Sequence, residues 1–206
     1  MLIVDGMPGA GKTTLLTRLK RYLRDDMLLL EPPSVPVGVH DESAVAVRLL
    51  NAVRARVDQG ERFEAADTKR FAAADHGQVC VLGYRYALWR INRGPRRDFD
   101  AALRECDRLR LFGGEHTTLI LRSSRRMLQT RLAYTRKSDG RPWDEPDFLE
   151  AYDHFLQELG TWTETGPRTI LVDAHSEAWT NFVAWPHDAI ADTLREGQRI
   201  QGLLSA

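Results

Sequence analysis

Residues 6–13 read GMPGAGKT, which matches the phosphate-binding pattern G-x-x-x-x-G-K-T. The apolar run Leu2 to Val4 precedes this stretch, and leucines at helical spacing follow it from residue 14 to residue 23. The pattern therefore lies between a predicted strand and a predicted helix. Its glycines let successive backbone N–H groups turn towards phosphate oxygens, and the helix N-terminus adds partial positive charge. These features predict a working P-loop, and the alternative is a glycine-rich turn that binds nothing.

Two side chains of this loop have expected roles in nucleotide binding. Lys12 is expected to be exposed and to reach the β- and γ-phosphates of ATP. The hydroxyl of Thr13 is expected to hold Mg²⁺. The residues expected to contact the phosphates are Gly6, Pro8, Gly9, Ala10, Gly11, Lys12, Thr13 and Thr14.

Strand-like and helical patterns alternate along the rest of the chain. Strands are predicted at 2–5, Met27–Glu31, Val79–Leu82, Thr117–Leu121 and Thr169–Asp173. Helices are predicted at 12–24, 42–58, 61–76, 98–111, 124–136, 146–159 and 186–200. This alternation predicts a three-layer α/β sandwich around a five-stranded parallel sheet, with both faces of the sheet covered. We expect one domain over residues 1–206.

The composition narrows the classes of function. The chain has 29 basic and 29 acidic residues and a net charge of zero, which argues against nucleic-acid binding by bulk charge. Its two cysteines, Cys80 and Cys106, predict a reduced cytoplasmic protein and show no metal-ligand spacing. No apolar run approaches the ~18 residues of a membrane span, and no signal peptide is expected. A homodimer is left open.

Two charged residues are expected at the carboxyl edge of the sheet, where ligands bind in parallel α/β folds. Glu31 ends the second predicted strand, and its carboxylate could accept a proton from an attacking hydroxyl. The alternative for Glu31 is a residue that only caps a loop. Arg85 follows the third predicted strand, where a guanidinium could clamp the substrate or the transferring phosphate.

Aromatic side chains surround Arg85. Tyr84 and Trp89 are expected to contact the acceptor, together with Glu31 and Arg85. Aromatic residues at helical spacing are more often part of the core, so we expect at least one of Tyr84, Tyr86 and Trp89 to be core.

A turn-rich stretch carries three further arginines, Arg131, Arg136 and Arg141. A solvated charged face is the first interpretation of such a run. The second interpretation is an arginine-bearing lid over about residues 136–146, which would stabilise charge on the transferring phosphate and exclude water.

In this order the motifs resemble those of the P-loop nucleoside and nucleotide kinases, over nearly the whole chain. LLLEPP at 28–33 resembles the Glu-Pro of deoxynucleoside kinases, which implies that Glu31 is the catalytic base. VLGYRY at 81–86 resembles their Asp/Glu-Arg motif after the third strand, with the arginine on Arg85. TRLAYTRKSDGR at 130–141 resembles their arginine lid. TILVDAHS at 169–176 resembles the last strand and the adenine loop, at Asp173, Ala174 and His175.

The sequence departs from this family pattern at two positions. Tyr84 stands where the family has the acidic residue before its arginine, so the second Mg²⁺ contact is open, with Asp5 and Glu31 as the candidates. Pro8 stands where thymidylate kinases usually have an aspartate in the P-loop, which argues against an ordinary thymidylate kinase.

The resemblance implies Mg²⁺-dependent transfer of the ATP γ-phosphate to a hydroxyl of a nucleoside-like small molecule. An antibiotic or other secondary metabolite is one alternative acceptor, because a fold does not fix the acceptor. A hydroxylated base in DNA is another, since aromatic residues at 84, 86 and 89 are interleaved with Arg85, Arg90, Arg93, Arg96 and Arg97. The last three of these are here called the loop arginines. A non-catalytic nucleotide switch is disfavoured because N-K-x-D is absent. Whether the acceptor is a hydroxyl or a monophosphate is left open.

Overall fold

The computed structural model describes residues 1–34, 41–67, 70–134, 142–143, 145–166, 168–184, 189–190 and 193. Five strands form one parallel sheet in the order β2-β3-β1-β4-β5. They are β1 (Leu2–Gly6), β2 (Met27–Leu30), β3 (Phe71–Asp75), β4 (Thr117–Arg122) and β5 (Thr169–Asp173). The two central strands β1 and β3 are buried along their whole length, as expected when helices cover both faces of a sheet. The predicted fold class is confirmed.

Eight helices accompany the sheet in the described part of the chain. They are α1 (Lys12–Leu23), α2 (Glu42–Ala65), α3 (Gln78–Arg90), α4 (Arg96–Arg108), α5 (Arg125–Tyr134), α6 (Pro146–Gln157), α7 (Leu159–Trp162) and α8 (Glu177–Val183). The helices predicted at 12–24, 98–111, 124–136 and 146–159 correspond closely to α1, α4, α5 and α6. Of the helix predicted at 186–200, only residues 189, 190 and 193 lie within the described residues.

The third strand is not where the sequence predicted it. Val79–Leu82 lies inside α3, and the third strand is Phe71–Asp75, which had been placed in a helix at 61–76. A short apolar run does not distinguish a buried strand from a buried helix, so Val79–Leu82 matched both patterns. The three alanines at 72–74 favour helix intrinsically, but β3 lies between β1 and β2, where small side chains are fully buried.

Helix α2 is one continuous helix of 24 residues, where two helices had been predicted. Asp41 begins it by accepting hydrogen bonds from the backbone N–H groups of Ser43 and Ala44. Gly60 lies within it because the helix passes close to Met1 there; a Cβ at Gly60 would lie 2.5 Å from Met1 Sδ.

Two contacts fix the position of α2 along the direction of the strands. Glu64 receives a hydrogen bond from the backbone N–H of Ala72, at the amino end of β3. Arg56 contacts the residues at the carboxyl ends of β2 and β3. The helix continues from Arg56 towards Glu42 over about 21 Å of its length, at 1.5 Å per residue. This half of α2 forms a wall beside the edge where the P-loop lies.

A cluster of aromatic side chains packs α3, α4 and α6 against one another beside this wall. Tyr86 of α3 packs edge-on against Phe99 of α4 at 5.4 Å between ring centroids, and Phe155 of α6 lies 5.4 Å from Tyr86. All three side chains are fully buried. Among the described residues, no helix is both long enough and apolar enough to cross a bilayer.

Candidate active site

The P-loop connects β1 to α1 and is shaped by three glycines. Gly6, Gly9 and Gly11 have φ values of 107°, 74° and 100°, in the left-handed region that other residues rarely adopt. Gly6 is further restricted because a Cβ would lie 2.2 Å from the carbonyl oxygen of Leu121. Met7 N–H donates to that same carbonyl at 3.0 Å, which attaches the loop to β4.

The first turn of α1 is suited to an anion. Its N-cap residue is Gly11, which supplies no side-chain cap, and no acidic residue lies in the first turn. The first backbone N–H groups of a helix have no partner within the helix and carry partial positive charge. Phosphate oxygens are the ligands that such a turn favours.

Lys12 is buried, which corrects the expectation that it is exposed. Its side chain is 4% exposed, and Nζ donates to the carbonyl oxygens of Gly6 at 3.0 Å and Met7 at 2.7 Å. A buried ammonium requires hydrogen-bond acceptors, and the loop supplies two from its own backbone. The ammonium is thus held directly against the loop that the glycines shape.

A carboxylate that the sequence analysis did not single out lies beside Thr13. Asp75 ends β3, is 5% exposed, and its Oδ2 accepts a hydrogen bond from Thr13 Oγ1 at 2.7 Å. Asp75 Oδ1 makes no hydrogen bond, although His76 Nδ1 lies 2.8 Å away. Burial raises the pKa of Asp75, but the His76 imidazole, the Thr13 hydroxyl and the Lys12 charge outweigh it, so the pKa lies below its ordinary value. A hydroxyl beside an ionised carboxylate offers the oxygen ligands that Mg²⁺ prefers.

Both carboxylate oxygens of Asp5, an expected metal ligand, accept hydrogen bonds from backbone N–H groups. Its Oδ1 accepts hydrogen bonds from the N–H groups of Gly6 at 2.8 Å and Cys80 at 2.9 Å, and Oδ2 accepts one from Val79 at 2.8 Å. The side chain is fully buried. Both carboxylate oxygens are thus used to attach the first turn of α3 to the P-loop, and a carboxylate at a helix N-terminus is also electrostatically favourable.

Glu31 lies at the carboxyl edge of the sheet, directly after β2, and is exposed. Strand β3 separates β2 from β1, so Glu31 is about 10 Å from the P-loop strand at the usual 4.8 Å spacing. That separation leaves room for an acceptor group between the carboxylate and the loop.

The sequence predicted that Arg85 directly follows a strand, but the structure places it in a helix. It lies in the middle of α3, is 4% exposed, and donates to Glu42 at the first turn of α2. Its guanidinium also lies 5.2 Å above the Tyr84 ring. The residues that do follow the third strand are Asp75 and His76, an acid and then a base. An acidic residue thus lies directly after the third strand, at Asp75, whereas Tyr84 and Arg85 lie within a helix.

The aromatic residues near Arg85 pack within the protein. Tyr84 lies 4.8 Å from the Trp143 ring, and Tyr86 is fully buried, as expected of at least one of the three. Trp89 has the guanidinium of Arg96 at 5.2 Å and that of Arg90 at 5.7 Å. The aromatic platform proposed for stacking on DNA bases is thus largely occupied by protein contacts.

The predicted adenine-loop residues, Asp173, Ala174 and His175, form a turn at the carboxyl end of β5. Asp173 Oδ1 accepts from the backbone N–H of His175 at 2.9 Å, and Ala174 N–H donates to the carbonyl of Arg122 at 2.8 Å. His175 Nε2 contacts the hydroxyl of Ser123, which follows β4. This turn and Glu31 lie on opposite sides of the P-loop, each two strands from β1.

The predicted lid lies mostly outside the described residues. Arg136 and Arg141 are outside them, and Arg131 lies in α5 with its side chain outside them. Beyond this segment, Trp143 lies 5.5 Å from Phe148, and Glu145 pairs with Arg93 at 2.6 Å.

Two further residues of the site carried no recognisable sequence signal. His76 has a left-handed backbone, with φ of 62°, and its N–H donates to the carbonyl of Val4 at 3.1 Å. Its imidazole is 39% exposed beside Asp75. Arg56 reaches the same place from α2, and burial lowers its pKa although Asp5 and Asp75 act in the opposite sense. Correct placement of β3 would have indicated His76, whereas Arg56 lies in the polar part of a helical pattern.

Comparison with known proteins identifies the fold. A deoxyadenosine kinase from M. mycoides with dCMP and a flexible dCDP bound has a TM-score of 0.61 and 14% identity, over 95% of this chain and 98% of that one. This chain has the fold of a deoxyadenosine kinase. The same enzyme with dATP gives a TM-score of 0.57 at 14% identity, over 94% of this chain and 98% of that one. With dCTP the values are 0.55 and 15%, over 95% of this chain and 100% of that one.

No family model matches the chain, and no curated protein matches it significantly in sequence. The deoxyadenosine kinase fold nevertheless extends over nearly the whole chain. The kinase-like fold that the motifs implied is therefore confirmed, at a level of identity that shows the fold alone.

Proposed function

We propose that this chain transfers the γ-phosphate of ATP to a hydroxyl of a nucleoside-like small molecule. One observation carries the proposal: the P-loop lies at the centre of the sheet edge, with Glu31 on one side and the turn at Asp173–His175 on the other. A donor nucleotide and an acceptor can thus approach the same loop from opposite sides. The deoxyadenosine kinase fold supports the same assignment.

On the donor side, the backbone of Gly9 to Thr14 and the ammonium of Lys12 bind the phosphates, and the turn at Asp173–His175 contacts the adenine. Thr13 and Asp75 would hold Mg²⁺, which would supply positive charge against the charge that develops on the phosphates. Because Asp75 is already ionised and fixed by Thr13, this side of the site needs little reorganisation during the reaction.

On the acceptor side, Glu31 is the general base. The acceptor hydroxyl oxygen forms a bond to the γ-phosphorus while the bond from that phosphorus to the β–γ bridging oxygen breaks. The bridging oxygen keeps the electron pair and leaves with ADP, and the hydroxyl proton passes to the Glu31 carboxylate. Arginines of the segment carrying Arg131, Arg136 and Arg141 would clamp the transferring group.

The wall beside Glu31 defines the acceptor pocket in this proposal. It consists of the N-terminal half of α2 and the facing part of α3, joined by the Glu42–Arg85 ion pair. A DNA-borne acceptor is not favoured, because Tyr86 is fully buried and Trp89 contacts Arg90 and Arg96. We therefore favour a small molecule with a hydroxyl group as the acceptor.

The test is an ADP-release assay with ATP, Mg²⁺ and a panel of deoxynucleosides, their monophosphates and buffer alone. We expect nucleoside-dependent release by the wild type and a loss of several orders of magnitude in Lys12→Ala. Circular dichroism and thermal melting establish that this variant is folded, which matters because Lys12 is buried. Release with monophosphates only would overturn the hydroxyl assignment, and no release with any member would overturn the nucleoside assignment.

A further inference from the structure

Arg56 connects the two strand ends that carry the carboxylates of the proposed site. From α2, its Nη1 donates to the carbonyl oxygens of Glu31 at 3.0 Å and Asp75 at 2.9 Å. Its Nη2 donates to the carbonyl oxygen of His76 at 2.7 Å. One guanidinium thus holds the backbone of three residues on two different strands. We call this arrangement the Arg56 clamp.

The Arg56 clamp lies directly beyond the last paired residues of β2 and β3. The β2–β3 pairing ends at Leu30 and Ala74, and the next residues along are Glu31 and Asp75. His76 then turns the chain out of the strand with its left-handed backbone. Beyond the last ladder pair, no sheet hydrogen bond sets the separation of β2 and β3, and the guanidinium supplies that restraint with a rigid planar fork.

Desolvation of the Arg56 guanidinium opposes any contribution of the clamp to stability. The guanidinium is largely buried, and desolvation lowers the pKa of Arg56. Its hydrogen bonds go to neutral carbonyl groups, and its Nε makes none. A buried charge is weak evidence for a role in stability, because desolvation offsets much of what its interactions contribute. The arginine instead fixes the backbone at Glu31 relative to the backbone at Asp75 and His76.

We infer that Arg56 is a positioning residue, which sets the distance between the Glu31 carboxylate and the Asp75–Thr13 pair. This inference rests on the proposed function, because it assigns catalytic meaning to the distance. In a phosphoryl transfer, the base must meet the acceptor hydroxyl while Asp75 remains fixed beside Thr13 and the phosphates. A displacement of ~1 Å between such groups costs about 100-fold in rate.

Kinetics of Arg56→Ala provide the first test, with Arg54→Ala as the matched control. Arg54 lies on the same helix and pairs with Asp58 at 2.5 Å, at half-exposed positions away from the strand ends. We expect kcat to fall about 100-fold in Arg56→Ala, while KM for ATP changes less than about twofold because the P-loop does not contact Arg56. Added guanidinium should restore a large part of kcat, and Arg54→Ala should behave as wild type.

Hydrogen exchange provides a second test that does not depend on activity. Backbone amides of Glu31, Ser34 and residues 75–77 should exchange faster in Arg56→Ala than in Arg54→Ala, in proteins of equal thermal stability. Unchanged exchange, or faster exchange with unchanged kcat, would overturn the inference. If the wild type transfers no phosphate to any acceptor, the proposed function fails instead, and faster exchange at these two segments alone then supports the clamp.

Discussion

Replacing Asp75 by asparagine isolates the charge of the newly located carboxylate. Asp75 is 5% exposed, its Oδ2 accepts from Thr13 at 2.7 Å, and its Oδ1 makes no hydrogen bond. Asparagine keeps the size of the side chain, and its amide oxygen can accept the same bond from Thr13. The main change is therefore the loss of one negative charge where Mg²⁺ would bind.

The magnitude follows from the strength of interactions with charged groups. Such an interaction contributes about 1.5–3 kcal/mol, and each 1.36 kcal/mol corresponds to a factor of ten. The Mg²⁺ concentration that gives half-maximal turnover should therefore rise about 10- to 150-fold in Asp75→Asn.

The assay is a Mg²⁺ titration of ADP release at saturating ATP and nucleoside, with Asp25→Asn as the control. Asp25 is an exposed aspartate on the 3₁₀ turn at Arg24–Asp26, just before the amino end of β2 and so at the edge of the sheet opposite the P-loop. An unchanged Mg²⁺ requirement in Asp75→Asn would refute the assignment of Asp75, as would a fall in kcat that no Mg²⁺ concentration alters and that the control shares.

Asp75→Asn should also change how the free energy of unfolding depends on pH. The pKa of Asp75 is lowered in the folded protein, so the ionised side chain stabilises the fold above its ordinary pKa of 3.8. That contribution is lost as pH falls through the lower folded-state pKa. The wild type should therefore lose more free energy of unfolding than Asp75→Asn when the protein is acidified below about pH 4, as measured by urea unfolding.

Three further predictions concern other parts of the molecule. Glu31→Gln should lower kcat about 100- to 10,000-fold with little change in ATP affinity, and a loss of ATP binding at unchanged rate would assign Glu31 a different role. Burial lowers the pKa of His116 to about 4, so unfolding free energy should fall between pH 6.5 and 4 by about 3 kcal/mol, a fall that His116→Gln should abolish in urea titrations. Replacing the three loop arginines by alanine should leave KM for a nucleoside unchanged; a large rise in KM with a flattened salt dependence would instead favour DNA as the acceptor.

The P-loop could be predicted from sequence because each of its features is local. Three glycines need left-handed backbone, a lysine and a threonine follow at fixed spacing, and the flanking periodicities change from strand to helix within a dozen residues. Glu31 was placed correctly for a similar reason, since prolines end its strand immediately.

The location of Asp75 and the hydrogen bonds of Asp5 could not be predicted, because both depend on strand order. The alanines before Asp75 lose their helical preference only when β1 and β2 are present on either side. Asp5 accepts bonds from Val79 and Cys80, more than seventy residues away, and those N–H groups exist as donors only because α3 begins there. A sequence pattern contains neither piece of information.

Helix α2 and the clamp illustrate the same limit. A glycine often marks the end of a helix, yet Gly60 lies inside α2, where Met1 occupies the space that a side chain would need. Arg56 is one of several arginines on a polar helix face, and only its distance to three carbonyl groups distinguishes it from Arg54.

The central position of the P-loop makes the two halves of the proposed site separable for engineering. The turn at Asp173–His175 and the wall of α2 belong to opposite flanks of the sheet, with β1 and its neighbouring strands between them. A library that varies the α2 wall above Arg56 can therefore explore new acceptors without altering the side chains of the proposed donor turn. Selection for acceptor choice and selection for donor choice become two independent design problems on one scaffold.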